Sequence, residues 1–386
     1  MTTLRIGLVS DYFRAGVAEG AAAYGRAHGV EIDPRWFVRG DWMGDHPAWN
    51  AVIAEVVNMP TLADRVLALN LPTVLMAPLA QAPAGFPVVT ADFRACGALA
   101  FEELASLGAR SLAVLRTSPR DIDHECCDGF IDAAHAHGRR VIDPEPARKL
   151  AETVATAAHF NERVSAFADI LEEMPRPVGV FLAHAGLTYS LQMELKRRGF
   201  RVPEDYAMVV IQKDVQGTAE MAPVPITTVD PDSWQQGYFA AQLLHDQLRG
   251  ERPDASVHRI PPAGITRRDS TGCPLVKDPG VAKVVHLIRE RFASDLKVDE
   301  LARLAAVGRR SLEERFRKEM HQSIHEALTR RRMDEARKLL RSTPLGIALV
   351  AEACGYSSVH YFTTAFKRET GTSPAAYRAA AGKGRA

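Results

Sequence analysis

The stretch Gly355–Gly371, GYSSVHYFTTAFKRETG, predicts a short helix bounded by two glycines. Phe362 and Phe366 stand four residues apart with Tyr361 beside them, so one face of this helix is predicted to be aromatic and buried. The opposite face carries side chains that can donate or accept hydrogen bonds, namely His360, Thr363, Thr364 and Lys367. Such a helix buries its aromatic face and leaves its polar face exposed for contact with a partner.

A similar pattern occurs earlier in the chain. Residues 298–320, VDELARLAAVGRRSLEERFRKEM, predict a helix, a tight turn at Gly308 and a second helix in which Leu312 and Phe316 again stand four apart. Residues 323–342 predict a longer helix of about 28 Å, at about 1.5 Å per residue. Two helix-turn-helix modules would thus be joined by a rod close to one DNA repeat of about 34 Å, as two adjacent segments of the major groove require.

Two pairs of residues have the spacing of a capping box: Ser311 with Glu314, and Ser323 with Glu326. In a capping box each side chain satisfies a free backbone N–H group at the start of a helix. We therefore expect helices to begin near both serines.

Charge is unevenly distributed along the 386 residues, although the formal net charge is only +1. From Val281 to the end there are 21 Lys and Arg residues and 12 Asp and Glu residues, whereas the preceding residues include 27 basic and 35 acidic ones. An asymmetry of this size predicts that the C-terminal part meets a polyanion and that the front part does not.

The composition, 46% hydrophobic and 25% charged, is typical of a soluble globular protein with two or three domains. No apolar run approaches the roughly 20 residues of a membrane helix, and the start of the chain makes a poor signal peptide. Five cysteines without a framework spacing favour a reduced cytoplasm, and neither a metal site nor a cofactor is expected. The sequence has no phosphate loop, dinucleotide-binding glycine motif, nucleophile elbow or HExxH motif, which argues against an enzyme.

The first three-quarters of the chain alternates between strand and helix patterns. Short apolar runs such as RIGLV (5–9), SLAVLR (111–116) and AMVVIQ (207–212) are separated by helical segments such as GLTYSLQMELKRRG (186–199). Continuous apolar strands between helices predict parallel strands covered on both faces, and hence an α/β fold built of βαβ units.

Polar and aromatic side chains follow several of these strands. In parallel sheets, ligands bind at the carboxyl ends of the strands. The residues expected to line a small-molecule site there are Asp11, Tyr12, Asp92, Phe93, Arg116, His184, Lys213 and Asp214. For any one of them, helix capping or ordinary loop polarity is the alternative.

Residues 280–378 are similar to the AraC-type DNA-binding domain. The resemblance is carried by DELARLA, DEARKLL, VAEACGY, YFTTAFKRETG and TSPAAYR. It implies base-facing positions at Arg310, Glu313 and Glu314 in the first module, and at Val359, His360, Thr363 and Thr364 in the second. The residues expected to meet phosphates are Arg309, Arg317, Lys367, Arg368 and the helix-start serines Ser357 and Ser358.

Each class of contact has its own chemistry. Arg310 can grip guanine O6 and N7 as a fork, and a glutamate can accept a hydrogen bond from cytosine N4. For Glu313 and Glu314, salt bridges with neighbouring arginines on the helix surface are the alternative. Gly308 replaces a usual capping serine, and Glu314 and Thr364 stand where family members often have arginine.

The order of strands and helices in the front part, with the closing RIPPAGITRRDST (259–271), resembles the sugar-sensing domain of LacI-type repressors. The resemblance implies the two-lobed periplasmic-binding-protein fold with a ligand in its cleft. Sugar-binding relatives have aspartates where this chain has Lys213 and His184, so bidentate recognition of sugar hydroxyls by those carboxylates is lost. The expected ligand is an anionic or otherwise different sugar, or there is none.

Together these observations predict four segments: residues 1–270 as an effector-binding and dimerisation domain, 271–280 as a linker, 281–378 as an all-α domain with two helix-turn-helix modules, and 379–386 as a disordered tail. The predicted function is a cytoplasmic, homodimeric transcription regulator with no membrane association. It binds double-stranded DNA, responds to a small molecule such as a sugar, and acts on RNA polymerase. Two alternatives stay open for the front domain: a ligand-free dimerisation scaffold, or a small-molecule enzyme.

Overall fold

The computed structural model describes residues 4–10, 14–34, 48–56, 60–76, 85–116, 121–144, 157–183, 185–211, 218–251, 256–272, 276, 278–320, 322–343 and 345–383. The chain divides into two compact units, Met1–Gly272 and Cys273–Ala386, called here the N-terminal and C-terminal units. The N-terminal unit is α/β, and the C-terminal unit is helical in its described residues.

The elements of the N-terminal unit follow one another in chain order as β1 (Arg5–Ser10), α1 (Ala15–His28), β2 (Glu31–Asp33), β3 (Ala51–Glu55), α2 (Pro60–Ala68), β4 (Thr73–Leu75), β5 (Val88–Ala91), α3 (Phe93–Ser106), β6 (Ser111–Leu115), α4 (Asp121–Ala136), β7 (Val141–Ile142), α5 (Ala157–Glu172), β8 (Val178–Leu182), α6 (Thr188–Arg197), β9 (Tyr206–Ile211), α7 (Thr218–Met221), β10 (Thr227–Asp230), α8 (Ser233–Leu248), β11 (Val257–Ile260) and β12 (Gly264–Thr266).

The described strands form two six-stranded sheets. The first has the order β11-β5-β4-β3-β1-β2 with every pair parallel, and the second has the order β12-β10-β9-β8-β6-β7 with an antiparallel edge at β12. Strands β3, β8 and β9 are buried along their whole length, as strands covered on both faces must be. The predicted fold class, a two-lobed α/β domain followed by an all-α domain, is confirmed.

Within the described residues the chain passes between the two sheets from β5 to α3, from β10 to α8 and from β11 to β12. Helix α3 packs on α4, β8 and β9, whereas α8 packs on α1. Both helices begin with an aspartate cap. Asp92 Oδ1 accepts a hydrogen bond from the backbone N–H of Ala95 at 2.9 Å, and Asp232 Oδ1 accepts one from that of Gln235 at 2.9 Å. These caps fix the helix starts where the chain changes lobe.

The C-terminal unit consists of α9 (Pro279–Arg291), α10 (Val298–Leu304), α11 (Arg309–Met320), α12 (Ile324–Ser342), α13 (Ile347–Ala353), α14 (Val359–Thr370) and α15 (Pro374–Lys383). Helix α9 begins inside the segment predicted as a linker, with Asp278 as its cap. Helix α15 ends at Lys383, inside the segment predicted as a disordered tail.

Two separate apolar clusters hold the C-terminal unit together. One contains Phe316 and joins α9, α10 and α11, and the other contains Phe366 and joins α13 and α14. Helix α12 contributes to both, since Ile324 and Leu328 belong to the first cluster and Met333 to the second. Each cluster closes one helix-turn-helix module, with α10–α11 in the first and α13–α14 in the second. Helix α12 is the rod between them.

A helix begins near each of the two serines, as predicted, but only one of the two predicted capping boxes lies at a helix start. Helix α11 begins at Arg309, and the N–H of Leu312 donates to the carbonyl of Gly308 at 2.9 Å, so Ser311 lies within the first turn. At Ser323 the capping box forms, because its hydroxyl accepts from the N–H of Glu326 at 3.2 Å and the Glu326 carboxylate accepts from the N–H of Ser323 at 2.7 Å.

Among the described residues, no helix is long and apolar enough to cross a membrane. The same residues contain no group of three or more His, Cys, Asp or Glu side chains that could hold a metal ion. The described cysteines are buried and are not in disulfides: Cys96, Cys126, Cys127 and Cys354. Burial raises the pKa of the Cys354 thiol to about 12, so this thiol is protonated at neutral pH.

Candidate nucleic-acid interface and effector cleft

Helix α11 buries one face and exposes the other. Leu312 and Phe316 have no exposed surface, because they pack into the cluster formed with α9 and α10. The exposed side chains of the helix include those predicted to face DNA: Arg309, Arg310, Glu313, Glu314 and Arg317. Their spacing of three and four residues brings them to the same side of the helix. We call α11 the first reading helix.

The arginines of this face are paired with acidic neighbours. Arg309 Nε donates to Glu313 at 3.1 Å, and its Nη1 donates to Asp299 at 3.0 Å. Arg310 Nε donates to Glu314 at 3.2 Å, and both of these side chains are more than two-thirds exposed. Ion pairs as exposed as these contribute little to stability, so a base or a phosphate can replace either partner. In the free protein Glu313 and Glu314 therefore form salt bridges with neighbouring arginines, the alternative to base contact that the sequence left open.

A groove of about 710 Å³ lies between α11 and the start of α12. Arg310, Arg317 and Lys318 line it from α11, and Ser323 and His325 line it from α12. The start of a helix carries a partial positive charge that favours anions. Glu313 and Glu314 also line the groove, but the four Arg and Lys side chains there outnumber these two carboxylates. The groove therefore combines a net positive charge with a helix N-terminus, which suits a polyanionic partner.

Helix α14, the second reading helix, has the same division of faces. Phe362 and Phe366 have no exposed surface. Ser358 caps the helix by accepting from the N–H of Tyr361 at 3.3 Å, and Gly371 ends it with a φ of 76°. The helix therefore begins and ends within the stretch Gly355–Gly371, as the sequence predicted, with Ser358 at its start and Gly371 at its end.

Most of the predicted reading residues of α14 are exposed: Ser357, Ser358, Val359, His360, Thr364, Lys367 and Arg368. Thr363 is half-buried, and the hydroxyl of Thr364 donates to the carbonyl of His360 at 3.1 Å. Tyr361, which was expected beside the buried aromatics, is 62% exposed. One residue turns a helix by about 100°, so the position before Phe362 lies off the buried stripe. Tyr361 is a solvent-facing side chain that the sequence pattern missed.

The residues predicted to line an effector site are described only in part. Asp92 and Phe93 follow β5 of the first sheet, and Arg116 follows β6 of the second. The other five lie outside the described residues: Asp11, Tyr12, His184, Lys213 and Asp214. Phe93 is buried at the start of α3, and Asp92 caps that helix, as the capping alternative proposed.

Arg116 is 4% exposed and bonded to its neighbours. Its Nη2 donates to Asp128 at 2.8 Å and to Asp143 at 3.0 Å, and its Nη1 lies 3.0 Å from His124 Nδ1. Burial alone would lower the pKa of Arg116, but the hydrogen bonds with Asp143 and Asp128 raise it above its ordinary value. Arg116 therefore stays charged and holds the carboxyl edge of the second sheet in place.

A buried carboxylate at the carboxyl end of β3 escaped the sequence prediction. Glu55 is 4% exposed, accepts from the hydroxyl of Ser10 at 3.2 Å and forms an ion pair with Arg14. Arg14 also donates to Gln236 of α8 at 3.0 Å. Since β1 and β3 are neighbours, this network lies at the edge of the first sheet where ligands bind in such folds. The sequence pattern that could have identified Glu55 is the apolar run 51–54, which is followed directly by this charged residue.

Two protein-family models match this chain. Residues 301–380 match a helix-turn-helix domain, and residues 101–271 match a periplasmic binding protein-like domain. The Xylose operon regulatory protein of Escherichia coli (strain K12) is 30% identical over 211 residues, which are 55% of this chain and 54% of that protein. Its namesake in Haemophilus influenzae is 30% identical over 210 residues, 54% of each chain. This chain thus spans about half the length of these curated relatives.

Solved structures share the fold. The structure of the xylose-binding transcription activator XylR matches 98% of this chain and 99% of its own, with a TM-score of 0.76 and 24% identity. A complex of the transcriptional regulator CelR with cellobiose matches 70% of this chain and 86% of its own, with a TM-score of 0.52 and 21% identity.

Proposed function

We propose that this chain, an AraC-type regulator with a periplasmic-binding-protein-like domain in front of its helix-turn-helix modules, is a sequence-specific DNA-binding transcription regulator that responds to a small metabolite. The observation that carries the proposal is the pair of reading helices. Each buries an apolar face in its own core and turns polar side chains to solvent. Helix α12, with 19 residues and a length of about 28 Å, packs into both cores, and its length is close to one DNA repeat.

Exposure and charge support the assignment of contacts to two classes. The proposed base-reading residues are Arg310, Glu313, Glu314, Val359, His360, Thr363 and Thr364. The proposed phosphate contacts are Arg309, Arg317, Ser357, Ser358, Lys367 and Arg368. Base contacts supply the choice of sequence, whereas phosphate contacts supply affinity and register.

The N-terminal unit would hold the effector and the dimer contact. A homodimer presents four helix-turn-helix modules to two half-sites. An effector that binds one arrangement of the lobes better than the other shifts the population towards it, and this difference in affinity sets the switch. The names of the relatives mention xylose and cellobiose, which supports a sugar or a related compound as the effector class. The output would be transcription by RNA polymerase in the cytoplasm.

Selection of duplexes from a pool of random DNA by the full-length chain tests DNA recognition. We expect one motif to be enriched, in which each half-site holds two blocks about 10 base pairs apart, one for each reading helix. Its affinity should exceed that for random duplex by about 10³-fold or more at physiological salt. Equal binding of all sequences, or no binding, would contradict the proposal.

A ligand-free dimerisation scaffold is the second candidate for the N-terminal unit. It is favoured by the bonding of Arg116, whose donors already engage Asp128 and Asp143. Thermal-shift measurements against pentoses, hexoses and sugar acids separate the candidates. A rise in melting temperature with no product formed supports a sensor, whereas no change across the panel supports the scaffold. Turnover of a compound would instead indicate an enzyme.

A further inference from the structure

The two helix-turn-helix modules meet at a corner of the C-terminal unit that contains Arg332. Arg332 lies in the middle of α12. Its Nε donates to the carbonyl of Phe292 at 2.7 Å, and its Nη2 donates to the carbonyl of Ser294 at 2.9 Å. Both carbonyls follow α9, which packs in the core of the first module. The guanidinium carbon also lies 5.4 Å from the ring centroid of Tyr356, in the turn of the second module.

This contact is favourable because the carbonyl of Phe292 lies at the end of α9. The last carbonyls of a helix lack partners within it and carry partial negative charge. The carbonyl of Ser294, in the turn after the helix, also accepts from the N–H of Leu296 at 2.9 Å. A guanidinium is planar and can donate to two acceptors at once, while its face stacks on an aromatic ring. Arg332 thus joins the end of α9 to Tyr356 through one rigid group.

Gly355 forms the opposite side of the same corner. Its φ is 77°, a conformation that favours glycine, and a Cβ at this position would lie 2.6 Å from the carbonyl oxygen of Ala293. Residues 292–294 are therefore held between Arg332 of the rod and Gly355 of the second module. Because the two apolar clusters are separate, this corner adds a constraint on module orientation that α12 alone does not supply.

We propose that Arg332 is a positioning residue that fixes the spacing and angle between the two reading helices, and thereby the number of base pairs between the DNA segments they read. This inference rests on the proposed DNA binding. Arg332 acts without touching DNA. A preorganised pair of modules binds a correctly spaced site without first being ordered, and it binds other spacings poorly.

A spacing series tests the inference. Affinity of the full-length chain is measured for its selected motif with the two blocks at their native distance, and with one or two base pairs added or removed. Each base pair moves one block by about 3.4 Å and rotates it by about 35°, so the parent protein should strongly prefer the native distance. In Arg332→Ala we expect affinity for the native distance to fall about tenfold, the scale of a lost charge-assisted hydrogen bond. Affinity for the altered distances should change little.

Arg337→Ala is the matched control. Arg337 lies on the same helix and donates to Asp334 of that helix at 2.6 Å, so this change removes an equal charge and leaves the corner intact. It should keep the parent's spacing preference. Circular dichroism and melting temperature identify a variant that fails to fold, and in that case Arg332→Lys, which keeps the charge and the aliphatic stem, supplies the measurement. It should also lose the spacing preference, because the compact ammonium group of lysine lacks the planar guanidinium that donates to both carbonyls.

The outcomes separate the two proposals. If Arg332→Ala or Arg332→Lys folds and keeps the parent's spacing preference, the positioning role is overturned although DNA recognition stands. If the parent itself selects no motif, the proposed function fails. A lower affinity at every spacing, with an unchanged preference, also overturns the positioning role.

Discussion

Arg310 donates a hydrogen bond to Glu314 at 3.2 Å across one turn of the first reading helix, and both side chains are proposed to face base edges. In the free protein the two side chains are paired with each other and remain exposed. DNA binding must separate the pair or use it as a unit. Substitution distinguishes a residue that reads a base from one that only neutralises its neighbour.

Arg310→Ala should weaken binding to the selected motif by about 1–3 kcal/mol and relax the choice at one base pair. The reason is the loss of a bidentate contact, which the guanidinium fork makes with guanine. Titration against the four single-base variants at each position measures both effects. Unchanged affinity and unchanged choice would mean that α11 presents a different face to DNA.

Glu314→Ala should relax the choice at one position if the carboxylate accepts from cytosine. If Glu314 serves only as the partner of Arg310, its removal should instead raise affinity for all sequences, because one negative charge near the phosphates is gone. The same titration gives the answer. Glu352→Ala, an exposed carboxylate on α13 rather than on a reading helix, is the control.

Lys367→Ala should weaken binding to all sequences alike and reduce the salt slope by about one. This outcome follows because a phosphate contact releases a counterion and carries no sequence information. The measurement is the affinity for motif and random duplex at several salt concentrations. A change confined to one base pair would move Lys367 to the base-reading class.

The capping box predicts both a stability change and its pH dependence. Ser323→Ala should lower the free energy of unfolding by about 0.5–2 kcal/mol, the range for loss of an N-cap.

The hydrogen bond from the backbone of Ser323 lowers the pKa of Glu326 below its unfolded value. The contribution of Glu326 is therefore complete above the unfolded pKa of about 4.3 and disappears as pH falls through the lower folded value. Urea denaturation of parent and Glu326→Gln between pH 3 and pH 7 should show the difference shrinking on acidification.

Glu55→Ala should destabilise the N-terminal unit by about 3 kcal/mol, the low end for breaking a buried ion pair, because Arg14 keeps its hydrogen bond to Gln236. Glu31→Ala is the matched control, since its pair with Arg5 is exposed and should contribute little. Urea denaturation followed by circular dichroism compares the two. Equal stabilities of the two variants would show that Glu55 is not held as a charged group.

The sequence predicted the elements that bury apolar residues periodically. Strands β1, β6 and β9 and the helices of the C-terminal unit all have such patterns. It missed the edge strands β2 and β12 because these are three residues long and carry little apolar surface. A short edge strand is held by backbone hydrogen bonds to its neighbour, and these leave little mark on side-chain composition.

The reading faces were predictable for the same reason, since Phe362 and Phe366 define which side of α14 is buried. The partners of the charged residues were not, because an arginine four residues before a glutamate permits both pairing and DNA contact. The Arg332 corner joins residues about 40 positions apart. A contact between positions so far apart produces no periodic residue pattern in the sequence, so only the folded structure reveals it.

Hydroxyl-radical footprinting of the full-length chain on the DNA flanking its own gene tests whether the two reading helices contact adjacent turns of one duplex. We expect two protected segments about one helical turn apart on one face of the duplex for each protomer. Arg310→Ala should weaken protection mainly in one segment, and changes in α14 such as His360→Ala should weaken it mainly in the other. Absence of protection, or a single segment that changes in α14 leave untouched, would contradict the account.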